Sequence, residues 1–465
     1  MKKTILMLIT FLLFSSLPAQ AAVKKENRLW QDESFYSIMI DRFNNGDITN
    51  DVDVNAKDPL AYHGGDFQGI IDRLDYIHDM GFTAIRLTPI FDNTKNGYHG
   101  YSVTDYYKTD EHFGTIKKFQ ELVKEAHKRK MKVVIDFVTT NEATNHSVDE
   151  AYLIDAAKWW INKTNIDGFS LPEVNQTKLS FWNDFSKQIK NTKKNFFLLG
   201  VLSQGTTADQ KEYEQAGIDS LLDYSNLANI RKAFATTDES LSPLYVDADK
   251  GQPSFTRASF MDNEYTTRFT TDIVEKRQFP GSRWKTALTY LYTTPGIPFI
   301  YYGTEIALIG GEIPDNRRQM NFRADKDLID YITKIGELRN QLPSLTRGNM
   351  DMLYEKKGMI VYKRTYKGET SIVAINNTSK SQKVILTKEQ VESGKELRGL
   401  LGGDIVRSRD NQYILILDRD NSEVYVLTEK SGANIPLIVS MIIVYILVSI
   451  FLFFIIKRRK TKKAE

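Results

Sequence analysis

The chain contains no cysteine in 465 residues, so no disulfide can brace it. That is unusual for a secreted eukaryotic protein and ordinary for one exported by a Gram-positive bacterium. A true excess of charge is also missing. The formal charge of +3 comes from the ends: without Lys2, Lys3, the basic cluster at 457–463 and Glu465, 54 basic residues stand against 58 acidic ones. A net of −4 gives no reason to expect nucleic acid as a partner. Charge is absent altogether from Pro436 to Ile456, and six basic residues follow directly.

The two ends place the rest. Met1-Lys2-Lys3, an apolar run from Ile5 to Leu17 and small residues around Ala19-x-Ala21 form a secretory signal over 1–21. The run is too short to span a bilayer comfortably. At the other end, about 21 uncharged residues at ~1.5 Å rise match the ~30 Å hydrocarbon core. The basic cluster after them sets the tail, 457–465, on the cytoplasmic side. The expected organisation is a single-pass protein with its bulk outside the cell membrane. Its parts are one large domain over 22–345, a smaller one over 346–428, a polar link at 429–434 and a transmembrane helix at 435–456.

From Trp30 to Arg339, short β-branched and aromatic runs alternate with amphipathic stretches. The strand candidates are Phe35–Asp41, Thr83–Pro89, Lys132–Val138, Ile166–Leu171, Phe196–Leu202, Asp219–Tyr224, Ser259–Asp262 and Ile297–Tyr302. Helical patterns such as Ile116–Arg129 and Glu150–Lys163 lie between them. Eight such repeats predict an α/β fold, a (β/α)8 TIM barrel, although a doubly wound open sheet would give the same local alternation. After Leu345 the texture turns to alternating strands at Met359–Thr365, Thr370–Asn376, Gln382–Leu386, Gln412–Leu417 and Glu423–Leu427. These predict a C-terminal antiparallel β-sandwich.

Several blocks carry a resemblance. They are Tyr62-His63-Gly64-Gly65-Asp66-Phe67, Gly97-Tyr98-His99-Gly100-Tyr101, Pro295-Gly296-Ile297-Pro298, Tyr301-Tyr302-Gly303-Thr304-Glu305 and Pro314-Asp315-Asn316-Arg317-Arg318. In this order and spacing they resemble the α-amylase family (glycoside hydrolase family 13), in particular bacterial α-amylases and cyclodextrin glucanotransferases. The resemblance implies the barrel with a C-terminal β domain. It also implies an α-glucan cleft in which His99, Tyr101, Asp315 and Arg318 would face the sugar. The alternative for the aromatic pair is plain packing beneath a loop.

Against that resemblance the chemistry is missing. Gly168-Phe169-Ser170-Leu171-Pro172 stands where the family has Gly-Phe-Arg-x-Asp. Val201 follows Gly200 where the family has its catalytic Glu, and Tyr265 ends a block whose third acid is Asp. Retaining glycosidases need two carboxylates about 5 Å apart on one sugar; Pro172, Val201 and Tyr265 supply none. Glu173 and Glu264 are the nearby substitutes. A one-residue shift turns Glu173 away, however, and Glu264 sits in the place of a family His on a different strand. Ser170 replaces the Arg that holds the nucleophile ionised. The stretch around Asn145-His146 is also short where family enzymes insert a small domain forming one cleft wall.

Asn45, Asp47, Asn50 and Asp51, with the Gly64 carbonyl and Asp66, match a calcium loop of the family. They could supply about the six to eight oxygens calcium takes; a polar turn capping its own backbone is the alternative. Two readings of function follow. The first is a membrane-anchored pseudoenzyme that binds an α-glucan, a cell-envelope glycan or an integral-membrane protein partner. The second is an active α-glucan hydrolase or transferase with non-standard catalytic groups. The missing acids favour the first.

Overall fold

The computed structural model describes residues 27–140, 149–222, 224–245, 256–430 and 435–461, with side chains in the last helix only at 439–453 and 455. The signal segment, the stretch around Asn145-His146 and most of the link before the last helix lie outside the described residues.

Eight parallel strands close into a barrel: β1 (Phe35–Ile38), β2 (Ala84–Leu87), β5 (Lys132–Asp136), β6 (Gly168–Leu171), β7 (Phe197–Val201), β8 (Ser220–Leu222), β9 (Ala258–Ser259) and β10 (Ile297–Tyr301). A hairpin of β3 (Phe91–Asn93) and β4 (Val103–Thr109) leaves the C-terminal end of β2. Strand residues alternate between two cores, as the pleat requires. Phe35, Ala84, Val134, Phe197, Leu199, Val201, Leu222 and Phe299 point inward. Ile85, Leu87, Val133, Ile135, Phe169 and Leu198 pack outward against the helices. The floor is aromatic: the Phe35 and Phe299 rings stack at 4.3 Å, and Trp30 closes over Phe197 at 4.4 Å.

The surrounding helices begin where the sequence offers caps. Asp66 accepts from the Gly69 amide to start Phe67–Asp79, and Thr115 accepts from the Lys118 amide to start Ile116–Lys128. Each turns an apolar stripe to the strands; Leu122, Val123 and Ala126 are that stripe in the second. The barrel strands expected from the sequence overlap the observed ones and run one to three residues too long; the seventh, Ser259–Asp262, meets β9 only at Ser259. In β1 the excess, Ile40–Arg42, is a 3-10 turn that swings Asp41 off the strand.

The smaller domain is a six-stranded antiparallel sheet faced by a two-stranded ribbon. The sheet holds β11 (Asn349–Lys356), β12 (Met359–Tyr366), β13 (Glu369–Asn376), β15 (Glu396–Gly399), β16 (Ile405–Arg407) and β18 (Asn421–Thr428). The ribbon pairs β14 (Gln382–Thr387) with β17 (Gln412–Leu417). Val361, Ile372, Val384, Leu386, Tyr413, Leu415 and Tyr425 fill the space between. Buried arginines tie it to the barrel. Arg283, on the helix Pro280–Thr293, donates to Asp420 and to the Asn377 side chain, and Arg364 donates to the Thr293 carbonyl.

The expected membrane-crossing helix is not carried by the described residues. A helix does run from Ile435 to Thr461, and its described side chains are exposed and apolar, among them Met441, Tyr445 and Phe451. Among the described residues no helix is long and apolar enough to cross a membrane.

Candidate active site

The C-terminal ends of the barrel strands are where (β/α)8 enzymes do their chemistry. Here the topmost inward positions hold Arg86 on β2, Asp136 on β5, Ser170 on β6 and Val201 on β7. Asp136 and Ser170 are direct register partners. Arg86 reaches across β5 from the far side. Its Nε donates to Asp136 Oδ1 at 2.8 Å and to Ser170 Oγ at 3.1 Å, and its Nη2 donates to Asp136 Oδ2 at 2.7 Å. The same Nη2 donates to Glu264 Oε1 at 2.7 Å, and Nη1 to Glu264 Oε2 at 3.2 Å. Tyr101 closes the cluster: its hydroxyl lies 2.7 Å from Asp136 Oδ2 and 3.2 Å from Glu264 Oε1.

The cluster is sealed. Side-chain exposure is 3% for Arg86, 0% for Asp136 and 1% for Glu264. Burial drives the Asp136 carboxyl above its ordinary range, and the neighbouring Glu264 charge adds to that against the pull of Arg86. Burial works the same way on Glu264, but the Arg86 guanidinium outweighs it and holds that group below the ordinary range. Arg86, flanked by both, stays charged. One Nη2 thus serves both acids, each at 2.7 Å. Neither is free to touch a sugar, because each carboxylate is engaged by the guanidinium and by the Tyr101 hydroxyl.

Where the family resemblance asks for catalytic acids, the structure has none. Val201 is buried among the inward residues of β7 and β8. Pro172 ends β6, and Glu173 after it adopts a left-handed backbone (φ 52°, ψ 39°). That turn takes Glu173 out of the strand's alternation, and its Oε1 lies 3.5 Å from Ser203 Oγ on the next strand end. Glu173 and Glu264 therefore do not form a relocated pair. Glu264 belongs to the Arg86 cluster and Glu173 does not.

The expected sugar contacts are placed unevenly. His99 Nδ1 accepts from the Tyr101 amide, and the two rings stack at 5.9 Å. Burial and the nearby Arg317 and Arg42 lower the His99 pKa to about 4, so the ring is neutral. Asp315 and Arg318 form a bidentate pair with each other in an exposed turn, Nε to Oδ1 at 2.7 Å and Nη2 to Oδ2 at 2.9 Å. The residues of that block that turn inward are Asn316, whose Nδ2 donates to the Glu264 carbonyl at 3.0 Å, and Arg317, which donates from Nε to the same carbonyl at 3.1 Å and from Nη1 to the Tyr98 hydroxyl at 3.2 Å.

In the candidate calcium loop the donors are gathered but partly spent. Asp66 accepts from the amides of Gly46, Asp47 and Gly69 at 3.1, 2.8 and 2.5 Å. Asp47 accepts from both the amide and the hydroxyl of Thr49. Asn45 Nδ2 donates to both oxygens of Asp51 at 3.0 Å. Gly64, at φ 87°, closes the loop from below: a Cβ there would come within 2.5 Å of Asn45 Nδ2 and 2.8 Å of Asp51 Oδ1. Asn50 Oδ1 is buried without a hydrogen-bond partner. Asn45, Asp51 and Gly64 thus converge, whereas among the described residues no three or more His, Cys, Asp or Glu side chains gather to hold a metal ion. A cation here would depend on amide and backbone oxygens.

Arg86 is the residue that sequence reasoning missed. The signal was present: a lone charge at an inward position of Ala84-Ile85-Arg86-Leu87, which a buried strand tolerates only with a partner.

The molecule is thus a closed parallel (β/α)8 barrel with an ionisable cluster at its C-terminal mouth, followed by an antiparallel sheet domain. The chain belongs to the α-amylase family. The profile of the alpha amylase catalytic domain matches residues 37–158 and 142–337, and that of the alpha-amylase C-terminal domain matches 348–425. An Anoxybacillus α-amylase structure, described as giving insight into a new glycosyl hydrolase subclass, is 49% identical, with a TM-score of 0.83 over 87% of this chain and 100% of that one. The Geobacillus thermoleovorans α-amylase, solved with acarbose, is 46% identical, with a TM-score of 0.82 over the same shares. A beta/alpha-amylase of Paenibacillus polymyxa is 32% identical over 461 residues, covering 86% of this chain but only 38% of that longer protein.

Proposed function

We propose that this chain is a non-hydrolytic α-amylase-family protein that binds an α-glucan. One observation carries the first part: the two carboxylates at the barrel mouth are buried and bridged by Arg86 and Tyr101, while Pro172 and Val201 stand where nucleophile and acid are needed. The α-glucan comes from the relatives, which are amylases, one of them solved with acarbose. A structural calcium at Asn45, Asn50, Asp51 and Gly64 belongs to the same proposal and rests on the unpartnered Asn50 oxygen.

The similarity to enzymes favours a second reading, an active α-glucan hydrolase or transferase. The Asp136–Glu264 pair, with carboxyls pushed in opposite directions, would be its acid and base. Incubating the full chain in detergent with amylose, pullulan and an activated maltoside separates the two. The proposal expects no more sugar released than by a heat-killed sample. Turnover abolished by Asp136→Asn or Glu264→Gln would establish the second reading instead.

A further inference from the structure

Two pairs of adjacent aromatic residues, Tyr106-Tyr107 on β4 and Trp159-Trp160 on the helix Glu150–Thr164, are split between core and surface. Tyr106 and Trp160 turn inward and are buried. The Tyr106 hydroxyl donates to the Val138 carbonyl at 3.0 Å, and Trp160 Nε1 donates to the Tyr106 carbonyl at 2.6 Å. Tyr107 and Trp159 turn outward and stay half-buried. Their rings meet edge to face at 5.5 Å, and Tyr152, 38% exposed, meets Tyr107 in the same way at 5.6 Å. Among the described residues, the hydroxyls of Tyr107 and Tyr152 and the indole N–H of Trp159 have no hydrogen-bond partner. Core packing accounts for the inner member of each pair and not for the outer one.

The helix orders this surface. Tyr152, Asp155, Trp159 and Lys163 fall at i, i+3, i+7 and i+11, one stripe of a 3.6-residue period, with Tyr152 and Trp159 about 10 Å apart along the axis. Tyr107 touches both rings, so the three stand in single file. Asp155 and Lys163 are exposed beside them, and the Lys163 ammonium lies 6.0 Å from the centre of the Trp159 ring. A row of apolar ring faces edged by free phenols, an indole N–H, a carboxylate and an ammonium suits a chain of pyranose rings, which present C–H faces and hydroxyl edges. The barrel mouth offers such a chain no free carboxylate, because Asp136 and Glu264 are sealed and bridged by Arg86. We infer that the stripe of Tyr107, Tyr152 and Trp159, on the flank of the barrel, is the surface on which this chain holds an α-glucan. This rests on the α-glucan reading proposed above and sets the binding surface apart from the mouth.

The test is maltoheptaose titrated calorimetrically into the full chain, in a detergent without a sugar headgroup. The proteins are wild type, Tyr152→Ala, Trp159→Ala, Tyr152→Phe and Tyr354→Ala, the last removing an equally half-buried ring from β11 in the smaller domain. Each is first shown to be folded by a melt like that of wild type; Tyr152, the most exposed of the three rings, keeps the test open should Trp159→Ala fail to fold. The inference expects Tyr152→Ala and Trp159→Ala each to weaken binding about tenfold, the loss of one stacked ring. Tyr152→Phe, which keeps the ring, and Tyr354→Ala should stay within about threefold of wild type. Wild-type affinity in folded Tyr152→Ala, or an equal loss in Tyr354→Ala, overturns the inference and leaves glucan binding standing. Absence of binding by the wild type overturns both.

Discussion

Replacing Arg86 by methionine keeps the length of the side chain and removes the guanidinium from between two buried acids. Five hydrogen bonds to Asp136, Glu264 and Ser170 disappear together. Stripping one partner from a buried ion pair costs about 3–5 kcal/mol, because the other charge stays behind unpaired. At a few degrees per kcal/mol for a domain of this size, the melting temperature should fall by on the order of 10 °C at pH 7.5. Arg129→Met is the control. Its partner Asp75 is three-quarters exposed, and such pairs contribute under about 1 kcal/mol. The pH dependence has a definite sign. Glu264, held below the ordinary glutamate range in the wild type, contributes stability above that range and loses it as pH falls through the folded value. Without Arg86, burial is opposed only by the smaller pull of Arg317 and by hydrogen bonds, so its folded pKa rises above the unfolded one and its carboxylate costs stability as pH increases. Asp136, already raised, rises further. The gap between wild type and Arg86→Met should therefore be widest above about pH 6 and narrow toward pH 4. Melts by circular dichroism across that range decide it. A shift at pH 7.5 no larger than that of Arg129→Met, or a gap that widens on acidification, would refute the argument.

Two further outcomes are expected. Millimolar calcium over a micromolar site would add ~4 kcal/mol, so chelator should lower the melting temperature clearly and Asp51→Ala should remove the difference; a melt indifferent to chelator eliminates the site. The four-fold variant Pro172→Asp, Val201→Glu, Tyr265→Asp and Ser170→Arg should fold and still fail to turn over an activated maltoside. Arg86 remains to bridge Asp136 and Glu264, and Ser170→Arg brings a second guanidinium to the same spot. Ready turnover by that variant would show that the Arg86 cluster is no obstacle to catalysis.

The barrel was legible in the sequence because parallel strands buried on both faces read as short apolar runs between amphipathic helices. All eight runs fell on strands. The pieces that escaped were those whose residues are half polar. β11 (Asn-Met-Asp-Met-Leu-Tyr-Glu-Lys) is mostly exposed or half-buried, and β15 and β16 are four and three residues long. The hairpin β3–β4 escaped likewise, because its alternation is interrupted by register shifts. At the site, the absences at Pro172, Val201 and Tyr265 were readable one residue at a time. Their compensation was not, since Arg86, Asp136 and Glu264 are joined only by closure of the barrel. In the Pro314–Arg318 block, motif matching chose Arg318, while the chain direction turns Arg317 inward; spacing alone does not distinguish adjacent residues in a turn.

Arg86 also changes what kind of place the barrel mouth is. In the family pattern an arginine at position 170 accompanies acids held close together, a local frustration tolerated for the sake of reactivity. In this chain a cation from β2 stands among them and bonds to β5, to β6 and to the segment following β9, so that opposite sides of the barrel are cross-braced. On the reading proposed above, this brace stands where reactivity would otherwise be. The order in which such changes can be undone is constrained as well. Restoring Arg at 170 while Arg86 remains crowds two cations, and removing Arg86 first strands two anions. Either single step leads through a less stable protein, so the present arrangement resists return.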